Sequence, residues 1–212
     1  PHSSYCRTSS GNEWLMTSCG TATYTDPDDY RGSLPGVVAD LVLTGGDAFR
    51  VRLTWLKLRR LTLVMIEETA PLIAFLSLDP SRMFVSFPLR GEAVWDGRRL
   101  RRGDFVLHGR AERLHHVAHA GLRWGLISMS AKDLADCAQP LRGVAFAPPE
   151  MAQLLRPARS TTAELLRLHA RACRLAATSP DMMAHREVAR SVEEEGLHAL
   201  VNILTGASVE SA

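Results

Sequence analysis

Lysine is almost missing from this 212-residue chain: Lys57 and Lys132 are the only two among its 25 basic residues. The cation is therefore arginine, and against 23 acidic residues it leaves a formal net charge of only +2. A balance so near neutral gives no electrostatic ground, by itself, for nucleic-acid binding. Cysteine is scarce and dispersed, at Cys6, Cys19, Cys137 and Cys173, with no C-x-x-C pair. That spacing argues against a disulfide framework or a thiolate zinc site and fits reduced thiols in a cytoplasmic protein. No apolar run reaches membrane-span length and no signal peptide is visible, so a membrane partner is not expected. The chain also lacks a G-x-S-x-G elbow, a G-x-G-x-x-G loop and a P-loop, the usual signs of a hydrolase nucleophile, a dinucleotide site or a nucleotide-phosphate cradle. Histidine is absent between His2 and His108, so the β-rich block upstream of His108 offers no imidazole to a metal.

What is present is an ordinary globular composition, 46% hydrophobic and 23% charged, in a chain long enough to bury a real core. Residues 1–24 open with a Ser-, Thr- and Gly-rich stretch and are expected as a flexible leader, with Trp14-Leu15-Met16 its one apolar point. Asp26 before Pro27 predicts a short helix start. From Val37 the pattern is β-rich: Val37 to Thr44, Phe49 to Leu56, Leu61 to Glu67, Leu72 to Leu78 and Met83 to Phe87, separated by Gly45-Gly46, Arg59-Arg60, Ala70-Pro71 and Asp79-Pro80. Asp96-Gly97 between Val94-Trp95 and Arg98 to Leu100 predicts a two-residue hairpin, because a type I′ turn needs positive φ at both central positions. Phe105 to His108 and Leu122 to Ser128 follow as strands, with Gly109 and Gly121 bounding a histidine-rich connection. Some eight short strands with no intervening helix predict a barrel or jelly roll over 25–129.

After Met129 the signal turns helical over 130–206. Ser130 with Asp133 predicts a helix to about Ala138, and Val144 to Pro157 reads as a connector. Thr161-Thr162-Ala163-Glu164 resembles a capping box in front of a helix whose Leu165, Leu168, Ala172 and Leu175 share a face. Ser179-Pro180-Asp181 breaks it, and a second helix from Met183 to Leu204 carries Val188, Val192, Ala199 and Ile203 on one stripe. Two helices joined by a short turn form an αα-hairpin. Gly196, inside that helix, costs about 1 kcal/mol against alanine. Residues 207–212 are left as a tail. The expected fold class is α+β, an N-terminal antiparallel barrel followed by a C-terminal helical hairpin.

Half of the histidines, His108, His115, His116 and His119, fall within a dozen residues. A metal needs three or four converging ligands, and here every imidazole would come from one strand and its loop, with Glu112 as the available carboxylate. No metal and no cofactor are therefore expected, and the cluster reads either as a pocket wall or as surface and turn histidines. Trp55, Phe75, Phe84, Phe87, Trp95, Phe105 and Trp124 either line a cavity or fill the core. Arg98, Arg99, Arg101 and Arg102 suit a solvated hairpin, and Glu193-Glu194-Glu195 a solvated helix face.

The segment G-D-F-V-L-H-G, followed by Arg113-Leu114-His115-His116 and R-W-G-L-I-S, resembles the cupin-like N-terminal sensing domain of AraC-type bacterial transcription regulators. Y-T-D-P-D-D-Y, M-F-V-S-F-P, R-L-H-A-R-A-C-R-L-A and H-A-L-V-N-I-L-T-G extend the similarity over roughly Thr25 to Gly206. The resemblance implies an effector-sensing, dimerising domain and not an enzyme. Its pocket candidates are Trp55, Phe84, Phe105, His108, His115 and Trp124. A homodimer is implied through Leu165, Leu168, Ala172, Val188, Val192 and Ala199, and DNA contact only through a C-terminal helix-turn-helix domain outside these residues. The alternative is a stand-alone cupin-like metalloenzyme using the His108 to His119 cluster.

Overall fold

A computed structural model of the chain describes residues 17–109, 113–143 and 148–211. The elements run β1 (Ser18–Tyr24), α1 (Pro27–Tyr30), β2 (Val37–Leu43), β3 (Val51–Lys57), β4 (Leu61–Glu68), β5 (Leu72–Leu78), β6 (Arg82–Arg90), β7 (Ala93–Trp95) and β8 (Arg98–Leu100). They continue with β9 (Phe105–Leu107), β10 (Arg113–Ala118), β11 (Arg123–Ser130), α2 (Ala131–Arg142), β12 (Gln153–Arg156), α3 (Arg159–Thr178), α4 (Pro180–Ala184), α5 (Arg186–Gly206) and β13 (Ser208–Ser211). The strands form two antiparallel sheets, eight strands in the order β1-β3-β4-β11-β6-β9-β12-β13 and five in the order β2-β5-β10-β7-β8.

Burial explains the two kinds of strand. In β4, L-T-L-V-M-I-E-E, nearly every side chain is covered, because the large sheet is sandwiched. Val64 and Ile66 face the five-stranded sheet, and Leu61, Leu63 and Met65 face the helices. A strand dry on both faces has no reason to alternate. In β5 and in the first half of β2 the strands alternate, because the outer face of the small sheet meets solvent, where Val38, Val42 and Phe75 are 48, 50 and 52% exposed. The hairpin between β7 and β8 is the predicted one: Asp96 and Gly97 have φ of 45° and 79°, with Trp95 paired to Arg98.

Several expectations are corrected. Ser18–Tyr24 is not leader but an edge strand paired with β3 from Ser18↔Lys57 to Tyr24↔Val51; Trp14-Leu15-Met16 and the rest of the leader before residue 17 lie outside the described residues. The histidine-rich connection is the strand β10, registered on both β5 and β7. The connector contains β12 and the tail contains β13, which pair with each other; residues 144–147 of that connector are not described. Asp26 and Ser130 cap as predicted, accepting from Asp28 N–H and Asp133 N–H, though α2 runs on past Pro140 to Arg142, with Gly143 as its left-handed C-cap. The capping box is not used: α3 starts at Arg159, and Ala158 at its cap supplies no side-chain bond. The second helix is split, with α4 breaking before α5.

The helices cover the large sheet. α3 buries Leu165, Leu166, His169, Ala172, Cys173 and Ala176. Along α5 the buried positions include Ala189, Glu193, Gly196, Leu197, Leu200 and Ile203. Leu165, Ala172 and Ala199 are almost fully buried within the protomer, and Val188 and Val192 lean on the same core. Most of the stripe expected to pair two protomers is therefore spent inside one, and Leu168 is only partly covered. Glu193 is not on a solvated face: its carboxylate accepts from Arg60 N–H at 2.6 Å. Gly196 is explained by close approach, since a Cβ there would lie 2.7 Å from Leu61 Cδ2. Cys19, Cys137 and Cys173 are buried thiols.

Candidate functional site

Alternation along β10 decides the fate of the histidine cluster, because adjacent strand residues point to opposite faces. His115 turns outward, where its Nδ1 lies 2.9 Å from Asp96 Oδ1 and its N–H donates to the same oxygen. His116 turns inward and is fully buried between the sheets. His119 is exposed. His108, just past β9, is buried with Nε2 2.8 Å from Ser86 Oγ. The four imidazoles do not converge, and among the described residues no three His, Cys, Asp or Glu side chains are grouped to hold a metal. Glu112 lies outside the described residues.

The interior carries a polar cluster instead. Glu68 at the end of β4 is 2% exposed. Its Oε1 accepts the Trp124 indole N–H at 3.1 Å, and its Oε2 lies 3.4 Å from His116 Nε2. With the carboxylate ionised, Nε2 carries the proton and donates. His116 Nδ1 then has no partner among the described residues, although buried polar atoms are normally satisfied. Trp95 packs against this group, its ring centroid 4.6 Å from His116, 5.3 Å from His108 and 5.5 Å from Trp124. Tyr30 on α1 is buried nearby; burial first, and the Glu68 charge second, hold its phenol well above the usual value.

Beside this cluster, between β7 and β8 of the small sheet and β9 and β12 of the large one, lies a cavity of about 290 Å³. The hairpin contributes Trp95, Leu100, Asp96 and Arg98; β9 and the residue after it contribute Val106 and His108; Ala152, Gln153 and Leu154 close the third side. Its walls are mostly apolar with a few polar groups, and its size is at the small end of ligand sites, which run from roughly 300 to 1,000 Å³. Asp96 and Arg98 are exposed and mark the mouth.

Of the six pocket candidates only His108 lines this cavity, and of the aromatics read as cavity wall or core only Trp95 does. Phe84 and Trp124 are buried in the core between the sheets and half-buried Trp55 packs against it. Phe105 is on the wrong face, its ring tilted against that of Phe87 at 5.1 Å in the core beneath the helices. His115 belongs to a separate groove on the outer face with Asp40, Phe75 and Arg113. Glu68, Gln153 and Leu154 had no sequence signal beyond burial; His116 had one, the inward half of an alternating strand.

A second His-containing pair lies under α3. His169 and Cys173 approach to 3.8 Å and both are fully buried. Burial pushes the thiol up to about 12 and the imidazole down to about 4, opposed for the imidazole by its bond to Val64 O. A nucleophile needs the thiolate and access, so this pair is a packing element.

No protein-family model matches the chain, and no curated protein matches it. Among solved structures, the AraC-like transcriptional activator CuxR is similar with a TM-score of 0.55 at 16% identity, over 82% of this chain and 64% of its own. The two-sheet fold is similar to that of this activator. At that identity the likeness establishes fold alone, and this chain spans less than two thirds of the activator's length. Weaker likenesses are to the EutQ protein of Clostridium difficile (TM-score 0.31, 17% identity, 43% of this chain and 77% of that one) and a putative glyoxylate-induced protein from Pseudomonas aeruginosa (0.29, 13%, 61% and 51%). Among the described residues no helix is long and apolar enough to cross a membrane.

Proposed function

We propose that this chain is the effector-sensing and dimerisation domain of an AraC-type transcription regulator, acting in the cytoplasm on a helix-turn-helix domain joined to it. The observation that carries the reading is the cavity between the β7–β8 hairpin and β9 and β12, walled by Trp95, Leu100, Val106, His108 and Leu154, in a fold similar to that of an AraC-like activator. In this reading the two sheets are the walls of a jelly-roll barrel, and α3 and α5 form the helical hairpin through which the bound state reaches a second protomer and DNA. The effector is a compact molecule with an apolar body against Trp95 and Leu154 and one polar group toward His108. Binding, not catalysis, is its role. The homodimer remains part of the proposal, but Leu165, Ala172 and Ala199 are withdrawn from its surface because they are buried in the protomer.

The test is thermal denaturation against a panel of sugars, amino acids, and aromatic and short-chain carboxylates. A true effector at a hundred times its Kd adds about 2.7 kcal/mol, which raises Tm by roughly 5–10 °C for a chain of this size, and the shift disappears in Trp95→Ala. A shift that survives Trp95→Ala, or near-stoichiometric metal by elemental analysis, would overturn the reading.

A further inference from the structure

One strand joins the cavity to the end of the described chain. Leu154 of β12 faces the cavity, and β12 is the only ladder partner of β13 among the described strands, in register from Gln153↔Ser211 to Arg156↔Ser208. The other edge of β12 is held to β9 by three pairs, including Leu154↔Val106, and Val106 also faces the cavity. Asp104 clasps the arrangement. Its Oδ2 accepts from Arg101 N–H at 2.8 Å, directly after β8, and its Oδ1 accepts from Arg156 Nε at 3.3 Å, the last residue of β12. One carboxylate thus ties the hairpin wall of the cavity to its strand wall. Ser208 then donates its hydroxyl to Arg156 O at 3.2 Å. β13 is a four-residue edge strand, and an element with so few ladder bonds opens at little cost. What steadies β12 therefore decides whether β13 stays docked.

We propose that occupancy of this cavity controls the docking of β13 on β12, which makes Ser208–Ser211 the regulated output of the site. The proposal rests on the reading of the cavity as an effector site and supplies its regulation. A molecule seated between Leu100 and Leu154 bridges the two walls that Asp104 already ties at one end, and so holds β12 in its ladder position. Coupling of this kind is reciprocal: undocking β13 must loosen the cavity wall by the same factor.

The experiment is hydrogen exchange followed by mass spectrometry on the full chain, with a side chain as the probe. Ala152→Phe places a ring in the cavity without any ligand. Amides of 153–156 and of 208–211 should both exchange about fivefold more slowly, while β1, an edge strand at the far end of the same sheet, exchanges as in the parent. In the reverse direction, Val209→Pro and Glu210→Pro are compared, because one of two adjacent edge residues directs its N–H to β12. The variant that breaks the ladder should speed exchange across 153–156 by a similar factor. Slowing at 153–156 without slowing at 208–211, or an equal change at β1, overturns the proposal. So does an undocked β13 that leaves 153–156 unchanged. If Ala152→Phe does not fold, the proline pair decides alone, since the coupling is the same in both directions. No ligand enters this test, so failure to find an effector leaves the coupling standing, and failure of the coupling leaves effector binding untouched.

Discussion

Replacing Glu68 by alanine separates two views of the buried polar cluster. If Glu68 merely fills space, the loss is that of a partly collapsed cavity. If it is the acceptor for both Trp124 and His116, the change strands two buried donors. The geometry gives Trp124 Nε1 to Oε1 at 3.1 Å and His116 Nε2 to Oε2 at 3.4 Å, with all three residues no more than 2% exposed. Each stranded donor costs about 1–3 kcal/mol, and His116, whose Nδ1 already lacks a described partner, would have neither nitrogen satisfied. The longer His116 contact is the weaker one, so the total works out at about 3 kcal/mol before any cavity term. Glu68→Gln keeps an acceptor for the indole and should cost about 1 kcal/mol. Because burying a carboxylate is itself unfavourable, replacing the pair together, Glu68→Leu with His116→Phe, should cost less than the sum of the single changes. Chemical denaturation followed by circular dichroism reads the parent, Glu68→Ala, Glu68→Gln, the two single changes and the double variant. A Glu68→Ala variant within 0.5 kcal/mol of the parent, on the order of measurement scatter, would refute the assignment of Glu68 as the shared acceptor.

His169 makes stability depend on acid. Its imidazole titrates near 4 in the fold against 6.5 when unfolded, so between those values the unfolded chain binds the extra proton. Stability is then complete above about 6.5 and falls as pH drops toward 4, by roughly 3 kcal/mol in all. Urea midpoints measured across that range should flatten in His169→Leu, and an unaltered slope would show that other groups cause the loss. Gly196→Ala gains about 1 kcal/mol of helix propensity but drives Cβ to 2.7 Å from Leu61 Cδ2, an overpacking worth about 1–3 kcal/mol. The net expectation is mild destabilisation that reverses to stabilisation in a Leu61→Ala background, and the same sign in both backgrounds would count against the contact. Val192→Asp should lower Tm, because Val192 leans on the protomer's own core, and should also shift sedimentation toward monomer; an unchanged sedimentation coefficient would count against the helical interface.

The parts of the fold legible in the sequence are those with a local physical cause. Asp96-Gly97 forces its hairpin through positive φ, Asp26 and Ser130 cap through their own side chains, and Leu72–Leu78 alternates because its sheet has one wet face. β12 and β13 were illegible, since four residues carry too little period to distinguish a strand from a connector. β10 was hidden by its bounding glycines, which signal turns whether the segment between them is loop or strand. The α5 stripe was misplaced by one position at its start. Ala189 and Glu193 face inward where Val188 and Val192 were expected, because the Glu193 bond to Arg60 is a tertiary contact that no helical period encodes. The site suffered most. Phe105 looked like a pocket aromatic because its type fits, but which face a strand residue takes depends on register, and register was set by β6 and β12.

Most contacts between the two sheets are apolar and tolerate small slips, since hydrophobic burial is non-directional. The directional contacts are few, and they lie around the cavity. Glu68 reaches from the large sheet to His116 in the small one; Ser86 fixes the ring of His108; Asp104 ties the end of β8 to β12. A hydrogen bond fails over a displacement that a leucine contact absorbs, so the Glu68 and Asp104 links set the separation of the two sheets more tightly than the surrounding core does, while the Ser86 bond fixes His108 within the large sheet. Glu68→Ala and Asp104→Ala should therefore differ in kind. The first lowers global stability, because it strands buried donors in the centre of the sandwich. The second leaves that centre intact and frees one end of the wall, so its effect should appear as faster local exchange at 153–156 with little change in the global unfolding midpoint.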